Sequence, residues 1–215
     1  MINMKKHLVF LYLAITAAGQ LSAEEIPPAA TLPDYPQIAV TTNAGSFVIE
    51  LFTGRAPLTV SNFLQYVNSG FYEGTVFHRI VGGFVAQAGG YDADYKLKQT
   101  GPMVSNEAGN GLSNRRGYVA MARTTDPHSA NSQFYINLAD NLALDPMPTR
   151  WGYTVFGRVI DGMDTIDEIG YRATGPGPIP SLTKDVPVEP IIIEKMELLP
   201  DDNGQNNSAE APATE

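Results

Sequence analysis

The sequence predicts a mainly β fold, a closed antiparallel barrel with a helix at each end. Three observations carry this. Short apolar or alternating runs, bounded by glycine, asparagine and proline, recur along the chain. Only two stretches place apolar residues at helical spacing. A chain of 215 residues with 43% hydrophobic residues can also bury one sizeable core.

Each element follows from its residues. Ile38 and Val40 alternate with smaller or polar neighbours, Asn43-Ala44-Gly45 is turn chemistry, and Phe47, Ile49 and Leu51 mark one face of a return strand. Residues 37–52 therefore read as a hairpin. Pro57 suits the first turn of a helix. Val60, Phe63, Leu64 and Val67 follow at helical spacing, with Gly70 as the stop. A strand resumes at Val76-Phe77 and turns at Gly82-Gly83. It returns through Phe84, Val85 and Ala86 to a second glycine pair, Gly89-Gly90. Residues 88–116 are rich in glycine and asparagine and show no period, so they read as a long functional loop. Strands are expected over 117–123, 132–137 and 153–160. Asp161 is expected to cap a short helix carrying Met163, Ile166 and Ile169, with Gly170 ending it. Residues 171–187 form a Gly/Pro-rich excursion, and a last strand from Ile191 to Leu198 is expected to pair back to the start of the domain.

The domain proper spans 37–199. Ahead of it, Lys5, Lys6 and His7 precede an apolar run from Leu8 to Ala18 and then small residues, the pattern of a signal peptide over 1–23. The run is too short to span a bilayer, which takes about 20 residues. Residues 24–36 form a proline-rich lead-in, and 200–215 an acidic tail with almost nothing to bury, expected to be disordered. These features predict a periplasmic or secreted protein with no membrane attachment after cleavage. Removing 1–23 takes away two lysines and no acid, so the net charge moves from −9 to −11.

That balance, with no basic stripe, argues against nucleic acid as a partner. Cysteine is absent, which excludes disulfides and thiolate chemistry. Only His78 and His128 remain beyond the leader, with no second histidine at ligand spacing, so no metal site and no cofactor are expected. There is no Gly-x-Ser-x-Gly elbow and no phosphate-binding Gly-x-x-x-x-Gly-Lys loop. What stands out is one cation, one imidazole and one amide, Arg79, His78 and Gln87, set into an apolar hairpin. An arginine on an apolar wall needs partners for its donors, and Gln87 suits as an uncharged one.

The run Phe77-His78-Arg79-Ile80, then Gly83-Phe84, then Gln87 with glycines following, closely resembles the signature of the cyclophilin-type peptidyl-prolyl isomerases. Two further stretches share the resemblance: Gly117 to Arg123 with Ser132 to Ile136, and Val155 to Met163. They come in family order and cover roughly Ile38 to Leu199, and the likeness is to the bacterial periplasmic or secreted branch. The resemblance implies an eight-stranded barrel filled by side chains, with the site on its outer wall. It implies a peptidyl-prolyl cis-trans isomerase acting on proline-containing polypeptides without a covalent intermediate, as a monomer, in the folding of exported proteins. A proline-peptide binding or holdase module with little turnover is the alternative.

Carried over residue by residue, Arg79, Phe84 and Gln87 match the catalytic positions. Arg79 matches the donor to the twisted amide, Phe84 the pocket floor, and Gln87 the amide that steadies Arg79. Val85, Tyr135 and Leu144 match the pocket wall, with Met121 behind, and His78 and Tyr153 match positions beside it. Ala122 to Thr124 match the main chain that binds an extended peptide. The chain departs from the eukaryotic pattern at Val85, Ala88, Ala143 and Tyr153, where methionine, glycine, tryptophan and histidine are common. Ala143 in particular implies weak inhibition by cyclosporin.

Overall fold

The computed structural model describes residues 35–200. The expected signal peptide, most of the proline-rich lead-in and the tail beyond Pro200 lie outside the described residues.

The expected first hairpin forms. β1 (Gln37–Thr42) pairs antiparallel with β2 (Gly45–Leu51), with Val40 opposite Phe47 and Ile38 opposite Ile49. Alternation sends Ile38, Val40, Phe47, Ile49 and Leu51 to one face, where all are buried. The helix α1 (Pro57–Asn68) begins on Pro57 and buries Val60, Phe63, Leu64 and Val67. Ala56, its N-cap, has no hydrogen-bonding side chain to offer. Glu107 serves instead from the long loop: its carboxylate accepts from the Leu58 and Thr59 N–H groups at 3.1 and 2.8 Å and from Thr59 Oγ1 at 2.7 Å. An acceptor at the helix start satisfies donors that have no partner within the helix.

β3 (Arg79–Val81) and β4 (Val85–Ala88) make the second hairpin. They are followed by β5 (Tyr118–Met121), β6 (Phe134–Asn137), β7 (Val155–Asp161), helix α2 (Met163–Gly170), a small ladder of β8 (Thr174–Gly175) with β9 (Val186–Pro187), and β10 (Ile193–Leu198). Eight strands join in the order β10-β1-β2-β7-β5-β6-β4-β3, every pair antiparallel. Side chains from its inner face and from both helices fill one core, in which Phe63 meets Tyr72, Phe134 and Phe156 at ring distances of 5.0–5.6 Å.

The structure corrects two expectations. The barrel is not closed by a continuous ladder, because β3 and β10 lie at opposite ends of the strand order. The seam is held by separate main-chain bonds: Gly74 N–H to Ile193 O and Ile193 N–H to Thr75 O, both 2.8 Å, and Phe77 N–H to Ile191 O, 2.9 Å. β3 is only three residues long, and Ile80 gives its N–H to Asp185 O at 2.7 Å. Asp161 does not cap α2. It ends β7, and Gly162 occupies the cap position at φ +76°, where a Cβ would collide with Ser46 and Phe47. Within the 171–187 excursion, β8 and β9 form a short ladder.

Candidate active site

Strand parity separates two environments on the wall made by β3, β4, β5, β6 and β7. Ile80, Ala86, Ala88, Val119, Met121, Phe134, Ile136 and Phe156 point into the barrel core. Their neighbours Val85, Ala120, Tyr135 and Val155 form a separate buried cluster on the outer face, covered in part by Phe84, Ala122, Leu144 and Tyr153. Over this cluster lies a cavity of about 360 Å³, lined by Arg79, Phe84, Val85, Gln87, Ala122, Arg123, Tyr135, Leu144 and Tyr153. It is small and largely apolar, with polar groups confined to a few side chains, as ligand pockets usually are.

A polar network fixes the walls. The Tyr135 hydroxyl donates to Asn114 Oδ1 at 2.8 Å. Burial first, then the neighbouring Tyr153 and Asp145, push the Tyr135 hydroxyl well above its usual range, so it stays neutral. Asn114 is itself held by Asp145 Oδ1, which accepts from its main-chain and side-chain N–H groups at 2.7 and 2.9 Å. Asn141 Nδ2 and the Leu138 N–H both donate to Phe84 O, at 2.8 and 2.9 Å. The Phe84 backbone is thus tied to the wall while its ring remains at the pocket.

Arg79 and Gln87 face each other across the β3–β4 ladder, but they do not bond as expected. Gln87 Nε2 donates to Gln133 Oε1 at 2.9 Å. Gly90 makes this possible, because a Cβ there would lie 2.6 Å from the Gln133 side chain. The Arg79 Nε instead lies 3.7 Å from Asp185 Oδ2. The Arg79 side chain is about one-third exposed and makes no hydrogen bond among the described residues, so its donors are open to an incoming acceptor. Asp185 holds φ +64°, a conformation costly for most non-glycine residues.

Three further expectations shift. Met121 lies in the barrel core, 1% exposed, because parity turns it away from the pocket that its neighbour Ala122 lines. His78, one residue before Arg79, is likewise turned inward, 2% exposed, with its ring 4.7 Å from Tyr91 and Nδ1 without a partner. Burial, helped by the Arg79 charge, lowers its pKa from 6.5 to about 4; nearby Val76 and Gln133 favour the charged ring but do not prevail. Thr124 lines the two neighbouring grooves and not the proline-sized cavity. Its N–H donates to Ser129 Oγ at 2.9 Å, and its carbonyl accepts from Arg123 Nη1, also at 2.9 Å. The peptide groups at Arg123 are different: among the described residues neither its N–H nor its carbonyl makes a hydrogen bond. The Arg123 side chain, Gln133, Asn114 and Asp185 went unassigned in the sequence. The first two lie inside the quoted family stretches, whereas Asn114 and Asp185 sit in segments without a period.

This wall has known counterparts. Residues 37–198 match the family described as cyclophilin type peptidyl-prolyl cis-trans isomerase/CLD. The chain belongs to the cyclophilin family of peptidyl-prolyl cis-trans isomerases. This cyclophilin is 44% identical over 180 residues to peptidyl-prolyl cis-trans isomerase A of Dickeya dadantii, covering 83% of this chain and 93% of that one. It is 48% identical over 158 residues to peptidyl-prolyl cis-trans isomerase B of Escherichia coli strain K12, covering 72% and 94%. Among solved structures, a cyclophilin type isomerase of Cryptosporidium parvum superposes with TM-score 0.62 at 26% identity, over 78% of this chain and 99% of that one. The same protein in the presence of the dipeptide Ala-Pro gives 0.61 at 27%.

Proposed function

We propose that this cyclophilin accelerates Xaa-Pro isomerisation in exported polypeptides, with Arg79 as the group that stabilises the twisted amide. Resonance makes the barrier to rotation ~18–20 kcal/mol. In the twisted state the lone pair localises on the prolyl nitrogen, which becomes a better hydrogen-bond acceptor. A guanidinium at that nitrogen binds the twisted state more strongly than the planar one, and no bond is made or broken. Lowering the barrier by ~4 kcal/mol speeds exchange roughly a thousandfold.

One observation carries this reading: Arg79, whose guanidinium makes no hydrogen bond among the described residues, lines the same small cavity as Phe84, Tyr135 and Leu144. The apolar walls take the proline ring, and the free peptide groups at Arg123 suit an extended substrate backbone. His78 takes no direct part, and its low pKa keeps it uncharged beside Arg79. The exported setting is supported by the Lys5-Lys6 and Leu8–Ala18 pattern, and a mature protein starting near Glu24 outside the cytoplasm is the outcome that fits.

The mechanism is tested by prolyl-peptide turnover in Arg79→Ala and Arg79→Lys. Both should lose most activity while keeping the fold, since lysine lacks the planar fork of donors. Wild-type turnover in Arg79→Ala would refute the role of the arginine.

A further inference from the structure

We propose that the groove beside the proline cavity is a subsite for an acidic side chain flanking the substrate proline. The proposal rests on the isomerase reading above and adds a preference to it. The groove, about 670 Å³, shares Arg123 and Tyr153 with the proline cavity and extends it past Trp151 to Arg150. A peptide seated at the proline is therefore led along it.

Its charge is unusual for this protein. The chain has 23 acidic and 14 basic residues, yet two arginines and no carboxylate line the groove. The nearest acids in sequence are engaged elsewhere: Asp126 Oδ1 accepts from the His128 N–H at 2.9 Å, and Asp145 Oδ1 is bonded to Asn114.

Both guanidinium groups are held by neutral acceptors, which fix their positions without cancelling their charge. Arg123 donates to Gly152 O, Thr124 O and Trp151 O at 3.3, 2.9 and 2.8 Å, and its guanidinium carbon lies 4.4 Å from the Tyr153 ring centre. Three of its five N–H donors are thereby used, leaving two for a ligand. Arg150 is braced in the same way, Nη2 donating to Ala143 O and Asp145 O. A carboxylate entering here meets cations already oriented for it, so little side-chain freedom is lost on binding. Exposed Trp151 offers a flat apolar surface for the methylene groups of a glutamate.

The test is a series of prolyl peptides carrying Glu, Gln or Lys at each of the two positions before and after proline. The readout is kcat/KM for the full chain at low salt. At one flank the order should be Glu, Gln, Lys, with Glu roughly fivefold above Gln, a modest factor because the arginines face solvent. The preference should vanish in Arg150→Ala and in 1 M salt, where screening reaches within about 3 Å. It should persist in Lys195→Ala, a charge removed from the opposite part of the sheet. Equal rates for all three residues at every position would overturn the subsite alone. So would a Glu preference that survives both Arg150→Ala and high salt. Absence of turnover for every peptide would overturn the isomerase reading and the subsite with it.

Discussion

Acid should destabilise this cyclophilin through one buried imidazole. His78 is 2% exposed and its pKa falls from 6.5 to about 4 in the folded chain. The unfolded chain therefore binds a proton at a pH where the folded one does not. The stability from keeping His78 neutral is complete above pH 6.5 and is lost as pH falls toward 4. Linkage gives about 1.4 kcal/mol lost by pH 5.5 and about 3 kcal/mol by pH 4. That is a large share of a domain's usual stability of about 5–15 kcal/mol. Acidic groups add their own dependence, so the informative quantity is a difference. Urea unfolding of the wild type and of His78→Phe, measured from pH 7.5 to pH 4, should show the wild type losing about 3 kcal/mol more than the variant as pH falls. Phenylalanine keeps a flat ring against Tyr91 and removes the titration. Prolyl-peptide turnover should also show no step at pH 6.5 from this residue. Parallel stability curves for the two proteins would refute the buried neutral histidine.

The Asp185 carboxylate, beside Arg79 Nε, should position the arginine. Asp185→Gly relieves a positive φ worth up to roughly 1 kcal/mol, so urea midpoints should hold or rise while kcat drops severalfold with KM little changed; unchanged kcat would dismiss the role. Glu107 holds the start of α1 by three hydrogen bonds, so Glu107→Ala should cost ~1–2 kcal/mol in urea unfolding, and Glu107→Gln less, because an acceptor oxygen is retained. Ala143 is exposed on the 3-10 turn Leu142–Leu144, next to the pocket residue Leu144. The unmodified protein should bind cyclosporin weakly and Ala143→Trp more tightly, as read by inhibition of peptide turnover; tight inhibition without the change would show that this position does not govern the drug.

The hairpin from Arg79 to Ala88 was legible because one short segment carries its own punctuation: two apolar runs, a glycine turn between them and one polar residue on each arm, Arg79 and Gln87. Two positions carried over from the resemblance lie differently. Met121 ends β5 with its side chain in the barrel core, one residue before Ala122 at the pocket, and His78 packs on Tyr91, one residue before Arg79. The resemblance matched both to the site, and neither lines the cavity. The partners of Arg79 and Gln87 were not legible for another reason. Asp185 lies 106 residues from Arg79 and arrives through a Gly/Pro-rich excursion with no period. Gln133 reaches Gln87 only because Gly90 leaves the space. Closure of the barrel was overread, since a count of strands does not reveal that the edge strand β3 stops after three residues.

The pairing of β1 with β10 has a consequence for how this domain can be joined to other chains. The two strands run side by side, and the Leu199 N–H reaches Gln37 O at 2.8 Å, so the polypeptide enters and leaves the barrel at one point. In the strand order that point is five strands from β4, on which the pocket residues Val85 and Gln87 stand. A host protein that receives residues 37–199 in a surface loop needs to part its own ends by little more than one strand spacing, about 5 Å. The pocket strands β4, β5 and β6 keep their own pairing, because the graft point lies outside them. The barrel is thus a module that can be plugged into another fold through a single socket.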